Sequence, residues 1–313
     1  MNKKIYISAY PFCETSLQPI NLLKKNKILY TINKKKRKHT EKEIFKILSN
    51  YDGLIADTEP LTNSVLQNTN KLKIISRVGI GLNSVDLDAA KRKKIAVAFT
   101  PDAPTMAVVD LTIGLILCCL RNIIKHHVNM KKKIWSRYAG YRLQYKKIGI
   151  IGLGRIGTKV SKMLIKMGAK KVFYNDLIKK NISKKIIYKS KKFIYKNCDI
   201  ISFHVPLTKL TNSLFSERDF KIIKKNCIII NTARGEIINE KSLFKYLKKN
   251  QDAIAAIDVY DDEPYKGELT KLENCILTPH IGSMSIDCRE RMELEATQNI
   301  INFFNNKKIK NLI

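Results

Sequence analysis

The stretch from Lys147 to Met167 constrains the fold more than any other part of the chain. Lys147-Ile148-Gly149-Ile150-Ile151 reads as an apolar strand, Gly152-Leu153-Gly154-Arg155-Ile156-Gly157 follows at once, and Thr158 to Met167 reads as a helix. A G-x-G-x-x-G turn between a strand and a helix predicts a dinucleotide-binding parallel sheet. Gly152 allows the tight turn, Gly154 lets backbone approach a pyrophosphate, and Gly157 lets the helix pack closely on the strand. The helix N-terminus adds oriented N–H groups and partial positive charge. One strand later, Val172-Phe173-Tyr174-Asn175 leads into Asp176. A carboxylate there can accept from both ribose hydroxyls and repel a 2′-phosphate, which predicts NAD over NADP. Taken alone, Asp176 is also an ordinary acid at the start of a loop.

The rest of the chain repeats the same alternation. Early strands read at Ile5–Ala9, Lys27–Tyr30, Gly53–Ala56, Lys73–Ser76 and Ile95–Phe99. Thr40 to Leu48 opens with a capping-box pattern and continues as an amphipathic helix, and Thr62–Gln67 is a shorter one. Asp102 can cap a helix running to about Arg121, apolar nearly all round and expected to be deeply buried. Later strands read at Lys171–Tyr174, Ile200–His204, Cys227–Asn231, Ile254–Val259 and Ile276–Thr278, and a long helix at about Ser285 to Phe304. With 313 residues, more than one core usually serves, two α/β domains are expected.

The formal net charge of +32 would ordinarily suggest nucleic acid or an anionic surface. The excess is spread from Lys3 to Lys310 and carried mainly by Lys. Lys, Asn and Ile share A/T-rich codons, so coding composition accounts for it. The run Lys34-Lys35-Lys36-Arg37-Lys38 is read as a solvated connection. No nucleic-acid partner is expected. The 7 cysteines are odd in number and show no metal-ligand spacing, so no metal site is expected and a reducing cytoplasm is. The N-terminus lacks the apolar core of a signal peptide, and Val108 to Leu120 is too short to span a bilayer.

Further blocks carry a family resemblance. They are Ser76-Arg77-Val78-Gly79-Ile80-Gly81, the glycine motif, Phe203-His204-Val205-Pro206-Leu207-Thr208, Asn231-Thr232-Ala233-Arg234-Gly235, Asp258-Val259-Tyr260-Asp261-Asp262-Glu263-Pro264 and Thr278-Pro279-His280-Ile281-Gly282. In order and spacing the chain resembles the D-isomer-specific 2-hydroxyacid dehydrogenases, and among them the phosphoglycerate-dehydrogenase-like members. The resemblance implies a catalytic set of Arg234, Glu263 and His280. Arg234 would clamp the substrate carboxylate and polarise the adjacent carbonyl. His280 would donate the proton in keto-acid reduction and accept it in oxidation. Glu263, bonded to the imidazole, would favour its charged form.

Backbone N–H groups of Val78, Gly79, Ile80 and Gly81 would bind the carboxylate, with Arg77 a candidate second anion contact or simply a solvated cation. Arg155, Ile156, Val205, Pro206, Thr232, Ala233, Asp258 and Gly282 map to NAD contacts, while His204 reads as structural. The implied fold is two doubly wound parallel-sheet domains: a Rossmann-type NAD domain at 100–281 inserted in a flavodoxin-like substrate domain at 1–99 and 282–313. The active site is expected in the cleft between them, and the apolar helix after Pro101 in a homodimer contact. The chain ends at Ile313, so no regulatory domain of the longer relatives is expected.

Three stretches depart from the family pattern. Asn83-Ser84 replaces the commoner Asp-Asn, Asp110 stands where Glu is usual, and Arg142 to Lys146 lacks a glycine. The expected activity is NAD-dependent interconversion of a small D-2-hydroxy acid and its 2-keto acid, with 3-phosphoglycerate among the candidates. The alternatives are a hydroxypyruvate or glyoxylate reductase, and an NAD-sensing, partner-binding protein without turnover.

Overall fold

The computed structural model describes residues 3–313, which divide into two units at Thr105/Met106 and Gly282/Ser283. The first comprises the chain up to Thr105 together with Ser283–Ile313. Its elements are β1 (Lys4–Ile7), α1 (Gln18–Lys25), β2 (Leu29–Ile32), α2 (Glu41–Leu48), β3 (Gly53–Ala56), α3 (Asn63–Gln67), β4 (Ile74–Arg77), α4 (Leu87–Arg92) and β5 (Ala96–Phe99). All five strands are parallel, in the order β2-β1-β3-β4-β5, the flavodoxin-like arrangement with its switch point between β1 and β3. Strands β3 and β4 are buried at every position, as parallel strands covered on both faces must be. The expected capping box is present: Thr40 Oγ1 accepts from the Glu43 N–H, and the Glu43 carboxylate accepts from the Thr40 N–H.

One expected strand start moves. Lys27 has φ +54° and closes α1, its N–H donating to the Lys24 carbonyl and that of Ile28 to the Leu23 carbonyl. A left-handed residue that terminates a helix cannot also begin a strand, so β2 starts at Leu29.

The second unit, Met106–Gly282, continues from α5 (Pro104–Leu120) through α6 (Ile123–Lys131), β6 (Ile148–Ile151), α7 (Arg155–Lys166), β7 (Val172–Asn175), β8 (Ile186–Tyr188), α8 (Lys191–Asn197), β9 (Ile200–Phe203), α9 (Glu217–Phe220), β10 (Ile228–Asn231), α10 (Glu240–Lys249), β11 (Ile254–Ile257) and β12 (Cys275–Leu277). Helix α11 (Ile286–Phe304) then returns to the first unit, burying Met292, Ala296 and Ile300 and packing on β3, β4 and β5. The seven-stranded sheet is wholly parallel in the order β12-β11-β10-β9-β6-β7-β8. This is the Rossmann order with one further strand, reversing between β6 and β9.

Helix α5 is buried over most of its length, while Met106, Asp110 and Gly114, four residues apart on one stripe, are exposed on the chain. No single helix among the described residues is long and apolar enough to cross a membrane.

Candidate active site

The three expected catalytic residues emerge side by side. Arg234 follows β10, Glu263 follows β11 and His280 follows β12, and these strands are neighbours in the sheet. All three leave the carboxyl ends of their strands, where open α/β sheets bind ligands. His280 Nδ1 lies 2.9 Å from Glu263 Oε2 and 3.1 Å from Oε1. The pair is half-open, with His280 and Glu263 side chains 39% and 32% accessible. Glu263 is itself oriented by the Tyr260 N–H, which donates to Oε1 at 3.1 Å. With Nδ1 engaged, Nε2 is the nitrogen left to exchange a proton with a substrate.

His280 has φ +53°, a left-handed conformation unfavourable for a residue with a Cβ. Such a residue persists when its surroundings over-determine it. Here the surroundings are Asp258: Oδ1 accepts from Thr278 Oγ1 at 2.6 Å and Ile281 N–H at 2.8 Å, and Oδ2 accepts from Gly282 N–H at 2.9 Å. Burial pushes the Asp258 pKa up, and those bonds oppose the shift. Asp258 and Gly282, expected as NAD contacts, therefore hold the His280 loop first. Tyr260 adds a tie, its hydroxyl 3.0 Å from the carbonyls of Ile257 and Thr278. Asn231 plays a similar part for Arg234, its side-chain amide donating to the Arg234 carbonyl at 2.8 Å. In the sequence Asn231, Tyr260 and Thr278 stand only as members of their motifs, polar residues at strand ends near the expected catalytic residues.

Arg234 is half-buried, and its guanidinium donates to the Ala233 carbonyl at 2.5 Å. Burial lowers its pKa while the carboxylates of Glu236 and Glu263 oppose the shift. It remains a cation, as arginine does in proteins. The residues expected to meet the substrate carboxylate, Arg77 to Gly81, lie in the first unit. Among them, the Val78 N–H donates to the Ala56 carbonyl at 2.8 Å and the Gly79 N–H to Thr100 Oγ1 at 2.7 Å. These two expected carboxylate donors are used within the fold. Within this loop, the Ile80 and Gly81 N–H groups meet no acceptor among the described residues. Arg77 is buried rather than solvated.

The glycine turn fits a dinucleotide. Gly152 has φ +95°, and a Cβ there would sit 2.6 Å from the His204 carbonyl oxygen and 2.8 Å from a Val205 methyl. A Cβ on Gly157 would sit 2.0 Å from the Gly152 carbonyl oxygen, so only glycine lets α7 lie against the turn. Gly154 is the N-cap of α7 without a side-chain cap, and the space where its Cβ would project is open. The first turn, with Arg155 and Ile156, thus presents backbone to an anion. Asp176 Oδ2 accepts from the Leu153 N–H at 2.6 Å, which holds the carboxylate over the same turn. Val205 and Pro206 follow β9 beside it, at the switch point. The Thr232 hydroxyl, by contrast, is occupied by Thr112 at 3.0 Å and points at α5. His204 contacts Ser202 Oγ at 2.9 Å, and burial pushes its pKa down to about 4, so it stays neutral and structural.

Residues 113–282 match the family model described as "D-isomer specific 2-hydroxyacid dehydrogenase, NAD binding domain". The glyoxylate reductase of Thermococcus litoralis is 35% identical over 268 residues, covering 82% of this chain and 81% of that protein. The chain belongs to the D-isomer-specific 2-hydroxyacid dehydrogenase family. The D-3-phosphoglycerate dehydrogenase of Methanocaldococcus jannaschii is another relative, 35% identical over 258 residues, covering 80% of this chain and 49% of that protein. The chain thus spans about half the length of that relative. The solved structure of the TT0316 protein from Thermus thermophilus superposes with a TM-score of 0.90 at 28% identity, covering 99% of each chain. As a family member the chain is an NAD-dependent oxidoreductase acting on small D-2-hydroxy and 2-keto acids.

Proposed function

We propose that the chain reduces a small 2-keto acid to the D-2-hydroxy acid, and runs the reverse oxidation, with His280, Glu263 and Arg234 as its catalytic residues. The observation that carries this reading is the His280–Glu263 pair, 2.9 Å apart and open, set on neighbouring strand ends with Arg234. NAD, when bound at the glycine turn, supplies the hydride donor or acceptor. Gly154, Arg155 and Ile156 hold its phosphates by backbone N–H groups, and Asp176 takes the ribose hydroxyls. Arg234 binds the substrate carboxylate and draws electron density from the carbonyl carbon. His280 gives a proton from Nε2 to the carbonyl oxygen, and Glu263 steadies the imidazolium that precedes this transfer.

By their names, relatives act on glyoxylate and on 3-phosphoglycerate, and these chemistries define the candidate substrates. The test is loss of NADH absorbance with glyoxylate, hydroxypyruvate, 3-phosphohydroxypyruvate, pyruvate and 2-ketoglutarate, with NADPH in parallel. Turnover of at least one with NADH preferred is expected. Demonstrable NADH binding with no turnover on any of them would overturn the reading. The exposed stripe of α5, with apolar Ile123, Ile124 and Val128 exposed on α6, supports a homodimer of this chain. Light scattering after size exclusion checks it, with a monomer mass as the contrary result.

A further inference from the structure

A buried ion pair that the mechanism does not use joins α11 to the loop after β1. Arg289 Nη2 lies 2.8 Å from Glu293 Oε1, one turn further along the helix, with side chains 8% and 2% accessible. The same nitrogen donates to the Pro11 carbonyl, and Glu293 Oε2 accepts from the Cys13 N–H at 2.8 Å. Each partner of the ion pair thus holds one residue of the loop. Cys13 has φ +60°, a left-handed conformation unfavourable for a residue with a Cβ, and the bond to Glu293 helps to keep it there. Nη2 alone carries both contacts of Arg289, while Nε meets no acceptor among the described residues. Burial pushes the Glu293 pKa up, and the Cys13 N–H and the Arg289 charge oppose the shift. Buried ion pairs add little net stability, because desolvation offsets their attraction. The place of this one in the fold points to a different role.

The held loop borders the one expected to meet the substrate carboxylate. Ser8 and Ala9, which lead into it, donate their N–H groups to the Ile55 carbonyl at 3.0 and 3.4 Å. Val78, which opens the carboxylate loop, donates to the next carbonyl, that of Ala56, at 2.8 Å. Both loops are therefore attached to consecutive residues at the end of β3. The Tyr10 N–H adds a long contact, 3.5 Å, to Asp57 Oδ2. Tyr10 is half-buried, fixed on one side through Ala9 to β3 and on the other through Pro11 to α11. All of these residues belong to the first unit.

We propose that Arg289 and Glu293 are positioning residues that hold loop 10–13 as a fixed rim of the substrate site, and that this rim sets the size of the acid accepted. Loops rooted so close together leave room for a short side chain, and a rim held rigid discriminates more sharply than a loose one. The favoured substrates are accordingly 2-keto acids of two or three carbons over a long diacid such as 2-ketoglutarate. This rests on the proposed reduction of 2-keto acids and on loop 78–81 meeting the carboxylate.

The experiment compares the unaltered chain with the double variant Arg289→Met/Glu293→Leu, which removes both charges together and leaves none buried without a partner. Amide hydrogen exchange of residues 9–16 should quicken about tenfold in the variant. Its kcat/KM for glyoxylate should fall about tenfold, mostly through KM, with the NADH dissociation constant unchanged. The glyoxylate-over-2-ketoglutarate ratio should narrow several-fold. Arg289→Lys keeps a single donating nitrogen, which is all the contact uses, and should recover most of both effects. Faster exchange with KM and the ratio unmoved would show a merely structural tie and overturn the proposal. So would unchanged exchange in the folded double variant. If that variant does not fold, Glu293→Gln is expected to show the same changes at smaller size, and its failure to do so is equally contrary. Turnover of no keto acid by the unaltered chain would remove the proposed function itself, and this proposal with it.

Discussion

The molecule contains two glutamates whose surroundings set them apart. In the first unit Glu59 is fully buried, accepting from the Ser8 hydroxyl and the Asp57 N–H. In the second, Glu263 faces His280 with about a third of each side chain open. A carboxyl group closed off from solvent and bonded within the fold is out of reach of a ligand, so its part is to hold geometry. The open pair combines a carboxylate with a base whose ordinary pKa lies near neutrality, and it leaves Nε2 accessible. Burial, more than residue type, separates the device that holds from the device that reacts.

The sharpest way to break this comparison is at the open pair. His280→Ala should lower kcat by about a thousandfold while the NADH dissociation constant is unchanged, because general acid–base catalysis contributes on that order. Unchanged turnover in steady-state assays would take His280 out of the mechanism. Next comes Arg234→Lys, expected to reduce kcat/KM about a hundredfold through loss of the planar fork, again with NADH binding retained. Equal loss of both would indicate a folding defect.

The buried glutamate makes a thermodynamic prediction of comparable logic and opposite readout. Burial, with Asp57, pushes the Glu59 pKa up to about 7, above its value in the unfolded chain. Between those two values the folded state binds the extra proton, so the contribution is fully present below the unfolded pKa and lost as pH rises through 7. At about 1.4 kcal/mol per unit, the loss is on the order of 3 kcal/mol. Denaturant unfolding at pH 5 and pH 8 should show that decline in the unaltered chain and a smaller one in Glu59→Gln; parallel curves would refute the buried-proton account. The smallest effect is expected at Asp176, half-buried and so between the two extremes. Asp176→Ala should narrow the NAD-over-NADP ratio of kcat/KM by about tenfold, tempered by loss of its Leu153 bond. A constant ratio would show that Asp176 only shapes the turn.

Most of the strands could be anticipated, because short-range chemistry dictates them, whereas the expected catalytic set came with the family resemblance. A G-x-G-x-x-G turn has one set of workable backbone angles, and apolar runs bounded by turns announce buried parallel strands. What escaped depends on contacts distant in sequence. Strand β8 has three residues among lysines and gains its place by pairing with β7. Helix α6 opens at Asn122, itself left-handed, without a side-chain cap to mark its start. That Val78 and Gly79 N–H groups go to Ala56 and Thr100 cannot be inferred from the loop alone. That Arg77 is buried beneath its own loop, donating to the Val78 carbonyl, is equally invisible in the motif. Likewise the bonds that Asp258 accepts from Thr278, Ile281 and Gly282 cannot be inferred from its own motif.

The return of α11 to the first unit has a consequence for biosynthesis. As the chain leaves the ribosome, β1 to β5 emerge early, but the helix that covers β3, β4 and β5 is made only after all of Met106–Gly282. The nucleotide-binding unit has its whole sheet available first and can fold as an autonomous body. The five-stranded sheet meanwhile waits with an apolar face uncovered, so the nascent chain is most vulnerable to aggregation in its earliest-made part until residues 286–304 arrive.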